Sequence, residues 1–114
     1  MKPTTAEKTC AAIDGKIILP SSGSENQAIS NLLMKQLADS GHPGCTAWLR
    51  ISDDRREGHW YDTMNNSRWY GYTNWSNGEP NNSNGLEHYA VIDASSKSWN
   101  DVQGSDKFYV VCEF

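Results

Sequence analysis

Glu79, Asn81, Glu87, Asn100 and Asp101 bring three carboxylates and two carboxamides into one stretch of chain, and all of them offer oxygen. A hard cation such as Ca2+ takes about six to eight oxygens at about 2.3–2.6 Å and tolerates the irregular geometry that loops supply. Softer donors are sparse here: no Cys stands between Glu79 and Asp101, and His88 is alone. The set therefore disfavours zinc, which prefers thiolate and imidazole. By spacing alone, a solvated polar loop with no ion is the competing reading. Glu79 and Glu87 as the acid/base pair of a glycosidase is a third. Other catalytic arrangements find little support, since His42, His59 and His88 are scattered and no Ser or Cys sits in an activating motif.

These residues need elements to hold them. Thr4 followed by Glu7 reads as a capping box opening a short helix over 6–13, closed by Gly15. Lys16–Leu19 is a strand candidate stopped by Pro20. Ser24 with Gln27 repeats the capping pattern. Ala28, Ile29, Leu32, Leu33 and Leu37 then keep the spacing of an amphipathic helix over 25–39, ended by Gly41, Pro43 and Gly44. Ala47–Ile51 reads as a strand, and Trp60-Tyr61 follow a charged turn. Tyr89–Ile92 and Phe108–Cys112 are the last clear strands. From Asn65 to Asn84 the chain is nearly free of aliphatic residues, and Trp69, Tyr70, Tyr72 and Trp75 predict that this long loop is ordered. Helices first and strands later make an α+β protein with an antiparallel sheet.

At 114 residues the chain is expected to be one domain. A net charge of −4 without basic runs argues against nucleic acid. No apolar stretch approaches the ~20 residues of a membrane span, and Met1–Thr5 lacks the apolar segment of a signal peptide, which leaves two expectations open: a leader already removed, or none to begin with. Five Trp and five Tyr against two Phe suit a loop-rich domain whose rings carry polar tips. Cys10, Cys45 and Cys112 allow at most one internal disulfide. If the two near the ends paired, the loop would be worth roughly 4–5 kcal/mol, which favours an oxidising compartment.

Several ordered motifs resemble the C-type lectin domain family over nearly the whole length. Ala47-Trp48-Leu49-Arg50-Ile51 is similar to its "W-I-G-L" strand, with Arg50 where Gly is usual. Glu57-Gly58-His59-Trp60 looks like "E-G-x-W", Glu79-Pro80-Asn81 like the motif of mannose-type members, and Trp99-Asn100-Asp101 like "W-N-D". Val111-Cys112-Glu113-Phe114 is similar to the closing strand. The resemblance implies two helices packed on antiparallel sheets, a long structured calcium-binding loop, and a framework disulfide between Cys10 and Cys112. It implies Ca2+ held by Glu79, Asn81, Glu87, Asn100 and Asp101, with a cis bond before Pro80 turning two side chains toward one ion. Two vicinal sugar hydroxyls would join the calcium shell against Glu79, Asn81, Glu87 and Asn100, with Asn82 and Ser83 adding contacts to a second sugar. Glu-Pro-Asn implies mannose, fucose or N-acetylglucosamine; galactose binders usually carry Gln-Pro-Asp. The alternative within the family is a domain that binds a protein or other surface ligand without sugar.

There are departures. The family's second disulfide would join the positions of Tyr89 and Gly104, so calcium is expected to do more of the loop's ordering. Asp53 and Glu57 sit where some members hold an auxiliary calcium, but the other acids expected there appear as Asn82 and His88, so the favoured reading is that Asp53 and Glu57 serve the turn and a salt bridge. Trp48, Trp60, Trp75 and Trp99 fall at framework positions; Trp69 and Tyr70 are the candidates for an exposed contact. Asn65-Asn66-Ser67, Asn74-Trp75-Ser76 and Asn81-Asn82-Ser83 are formal glycosylation sequons. The expected setting is secreted or extracellular, with glycans of cell or microbial surfaces as partners and a homo-oligomer for avidity. Cys45 has no partner in the family pattern and reads either as a buried, inert thiol, as an intermolecular disulfide that joins copies, or as the mark of a truncated chain.

Overall fold

A computed structural model describes residues 1–39, 46–82 and 85–114, without the side chains of 37–39. Gly41, Pro43, Gly44, Cys45, Ser83 and Asn84, and the side chain of Leu37, lie outside the described residues. Two helices and seven strands are described: α1 Pro3–Ala11, β1 Lys16–Ile17, α2 Gly23–Asp39, β2 Thr46–Ser52, β3 Tyr61–Asp62, β4 Ser67–Arg68, β5 Glu87–Asp93, β6 Ser98–Gln103 and β7 Cys112–Glu113. The α+β expectation holds, and the pairing between these strands is antiparallel throughout.

The helices start earlier than the capping patterns suggest. Pro3 stands at the first position of α1, where its missing N–H costs nothing and its φ is already helical. Thr4 is thus inside the first turn, and no side chain caps the helix. At α2 the cap is Ser22, whose Oγ accepts the Glu25 N–H at 3.2 Å, while the Ser21 hydroxyl donates to the Glu25 carboxylate. The buried face of α2 is also more polar than its periodicity implies. Asn26, Ser30 and Leu33 are buried, whereas Leu32 is exposed. Asn26 is tolerated inside because it is satisfied: its amide donates to the Lys97 carbonyl at 2.8 Å and its oxygen accepts the Trp99 indole N–H at 2.7 Å.

The main sheet runs β4-β3-β2-β5-β6, and β1 pairs with β7. The β6 strand is the main element missed by the sequence reading. Its polar composition hides it, yet it pairs with β5 from Asp93↔Ser98 to Glu87↔Gln103. Conversely, most of Phe108–Cys112 is not regular strand. Tyr109 bridges Ala47 in parallel, and only Cys112–Glu113 joins a ladder. Trp48, Ile51, Val91, Ile92 and Trp99 fill the core with at most 1% exposure. Arg50 lies among them because its charge is answered: it meets Asp62 at 3.1 Å, Glu113 at 2.6 Å and the Ile17 carbonyl at 2.7 Å. Cys10 and Cys112 form the expected disulfide, spanning a sequence separation of 102.

Tyr89 and Gly104, where a second disulfide was expected to be lacking, face one another. A Cβ added to Gly104 would stand 2.7 Å from the Tyr89 ring. A ring against a bare backbone thus spans the gap that two sulfurs would bridge. Gly104→Ala must displace the ring, and overpacking of this kind costs about 1–3 kcal/mol. Urea denaturation should report that loss; an unchanged midpoint would mean that the contact is slack.

Candidate functional site

The long loop is ordered by being pinned along β6. The Trp99 N–H donates to the Asn74 carbonyl at 2.8 Å, and the Ser76 N–H returns to the Trp99 carbonyl at 2.9 Å. Trp75 packs edge-on against Trp99 with centroids 5.8 Å apart, and Trp60 lies 4.9 Å from Trp75. Trp48, Trp60 and Trp99 are buried and Trp75 is half-buried, as their framework positions imply. Trp69 is not the free contact that its place in the loop suggests. Its ring lies over Gly71, and its indole N–H donates to the Tyr72 carbonyl at 3.0 Å. Tyr70 is exposed, under the guanidinium of Arg68.

Beyond Ser76 the chain turns through Gly78, at φ 84°, into a cis Glu79–Pro80 bond. The turn places Glu79 and Asn81 side by side, and the Asn81 amide donates to Glu79 Oε1 at 3.0 Å. Asp101, on β6, is 3% exposed and acts as the anchor. Its Oδ1 accepts the Asn81 N–H at 3.0 Å and its Oδ2 the Asn82 N–H at 2.6 Å. Glu87 arrives from the first position of β5. Glu79, Glu87 and Asp101 then each offer an oxygen within 4.8 Å of the other two. Asn100 precedes Asp101 on β6, half-buried and paired across the ladder with Val91. Asn82, at φ 45°, uses its side-chain oxygen to accept the Glu87 N–H at 3.1 Å. That oxygen ties the loop to β5, a role that spacing did not reveal. Ser83 lies outside the described residues.

Crowding has an electrostatic consequence. Burial, and then the Asp101 carboxylate beside it, push Glu79 up to about 7. Uncharged amide donors are the partners of these acids in the hydrogen bonds just described, and a divalent cation among the three would relieve the repulsion. The donor set is oxygen throughout, so it fits Ca2+ better than a softer ion.

Asp53 and Glu57 also come together, and His88 joins them as a third member. Asp53 is buried, and its Oδ2 accepts the Gly58 N–H at 2.9 Å. The His88 Nδ1 lies 3.1 Å from Asp53 Oδ1 and 3.2 Å from Glu57 Oε1. Burial works to lower the His88 pKa, but the Asp53 and Glu57 carboxylates outweigh it and the net shift is upward.

The sequence model described as the Lectin C-type domain matches residues 1–114, and the chain belongs to this family. Solved structures agree on the fold. The EPNH mutant of CEL-I, a C-type lectin of Cucumaria echinata, superposes with a TM-score of 0.83 at 22% identity, covering 98% of this chain and 81% of that one. The carbohydrate-recognition domain of the human scavenger receptor C-type lectin gives 0.80 at 22%, covering 98% and 81%. Human lithostathine gives 0.79 at 22%, covering 97% and 82%. The architecture of two helices with antiparallel sheets is therefore the C-type lectin-like fold.

Proposed function

We propose that the chain is a single sugar-binding domain, a binding module and not an enzyme, that holds Ca2+ through Glu79, Asn81, Glu87, Asn100 and Asp101. It presents that ion to vicinal hydroxyls of mannose-type sugars: mannose, fucose or N-acetylglucosamine. The observation that carries this reading is the convergence of Glu79, Glu87 and Asp101 next to Asn81, on a loop pinned to the sheet. Calcium, when bound, supplies a positive centre for two hydroxyl oxygens. The chain's own groups do the orienting. Carboxylate oxygens accept from the sugar hydroxyls and carboxamide N–H groups donate to them, so acid–amide pairs at the rim select hydroxyl geometry. The Asn82 oxygen accepts the Glu87 N–H, and the Asn82 amide N–H is the group proposed to reach a second sugar.

A contact of two hydroxyls with one ion is weak, at about −4 kcal/mol or millimolar affinity. Useful binding then requires several sites on one particle, and Cys45 is the residue proposed to join copies. The Cys10–Cys112 disulfide supports an oxidising, extracellular setting, with surface glycans as partners.

Exchanging the motif tests specificity. Glu79→Gln with Asn81→Asp reverses the order of acid and amide, and preference on immobilised monosaccharides should move toward galactose. An unaltered preference would put selectivity elsewhere.

Acid should oppose the ion. Glu79 has an ordinary value of 4.5 and stands at about 7 in the ion-free fold. Its contribution to ion-free stability is therefore full below 4.5 and lost as pH rises toward 7. Calcium acts oppositely, because it needs the carboxylate. The rise in Tm on adding calcium should grow across this window; a calcium effect equal at both ends contradicts the site.

A further inference from the structure

We propose that Asp53, Glu57 and His88 form a second metal centre, distinct from the calcium cluster, that takes a zinc-like divalent cation in preference to calcium. The three side chains come from two places: Asp53 and Glu57 bracket the turn after β2, and His88 is the second residue of β5. Backbone ties fix them relative to one another. The His88 carbonyl accepts both the Asp53 N–H at 3.1 Å and the Ser52 hydroxyl at 2.7 Å. The Gly58 N–H holds one oxygen of the buried Asp53 carboxylate, which leaves Oδ1 directed at His88. All three side chains offer a donor atom within 4.8 Å of the other two.

The spacing suits a small ion. Donors at about 2.0–2.2 Å around a tetrahedral centre stand about 3.3–3.6 Å apart. His88 Nδ1 already lies 3.1 and 3.2 Å from the two carboxylate oxygens, so small outward movements would admit a cation. The donor set discriminates between ions. One imidazole nitrogen and two carboxylates are donor types that zinc takes, in the number of a three-ligand site with a fourth position open. Calcium would have too few oxygens: Asp53 keeps one for Gly58, and His88 replaces an acid. The auxiliary calcium that the family resemblance suggests at Asp53 and Glu57 thus fits poorly. A zinc ion here would clamp the Asp53–Gly58 turn to β5 beside Glu87, independently of which sugar the neighbouring site binds.

The experiment is a calorimetric titration of the folded protein with zinc chloride in excess calcium, so that the Glu79 cluster is already filled. One tight equivalent is expected. Loss of a ligand should weaken it by about tenfold or more in Glu57→Gln and about a hundredfold in His88→Asn, at or beyond the range for residues that only support ligands. Glu57 is exposed, so Glu57→Gln keeps the test valid if His88→Asn fails to fold. His59→Asn, remote in role, should leave zinc uptake unchanged. No zinc uptake, displacement of zinc by calcium, or uptake in both ligand variants equal to that of the unaltered protein would overturn the proposal.

Discussion

Asp101→Asn should lower the apparent calcium affinity by about a hundredfold or more and cost the ion-free fold about 1.5–3 kcal/mol. The carboxylate holds two successive backbone N–H groups, of Asn81 and Asn82, and so sets the path of the loop that carries Glu79 and Asn81. Hydrogen bonds to a charged group are worth about 1.5–3 kcal/mol. An amide in its place turns an NH2 toward one of these donors and removes a negative charge from the proposed ion. That lost charge is the part that bears on the ion, and a hundredfold loss of affinity corresponds to about 2.8 kcal/mol. Calcium titration gives the affinity, and urea denaturation in chelator gives the fold. An affinity equal to that of the unaltered protein would mean that Asp101 serves the loop and not the ion.

Trp99→Ala should be the most damaging single change to stability. The ring is fully buried, meets Tyr72 and Trp75 edge-on, and donates its N–H to Asn26 on α2. Emptying such a site costs about 3–5 kcal/mol, and the orphaned Asn26 oxygen adds about 1–3 kcal/mol. Against a domain stability of about 5–15 kcal/mol, much of the population would unfold near body temperature. Trp99→Phe keeps most of the packing and loses only the hydrogen bond, so it should cost far less. Equal losses in both variants would mean that the hydrogen bond, and not the packing, holds this junction. Because Trp99 directly precedes Asn100 and Asp101, the same packing that forms the core also aims the site.

What could be read along the chain follows from this physics. The side chains that most often give oxygen to a hard cation are Asp, Glu, Asn and Gln, so Glu79, Asn81, Glu87, Asn100 and Asp101 stand out as types even before they are folded. The framework Cys and the Trp-rich motifs made the fold legible through resemblance. Pairings that join distant residues were not legible. Asn26 reads as a polar interruption of an amphipathic helix until Trp99 is brought to it across a separation of 73. Arg50 reads as a misplaced charge until Asp62 and Glu113 meet it. The β6 strand reads as loop because its residues are polar, one of them, Asp101, being held in the ladder opposite Ala90. His88 looked solitary because its partners, Asp53 and Glu57, lie 35 and 31 positions upstream.

The central claim is that sugar is held through calcium on the Glu79–Asp101 cluster. Its most direct test is binding to a glycan array in calcium and again in EDTA. Mannose-type glycans should bind in calcium, and the signal should vanish with chelation and return when calcium is restored. Binding that survives EDTA, or an array that stays blank beside a protein ligand captured without calcium, would contradict it.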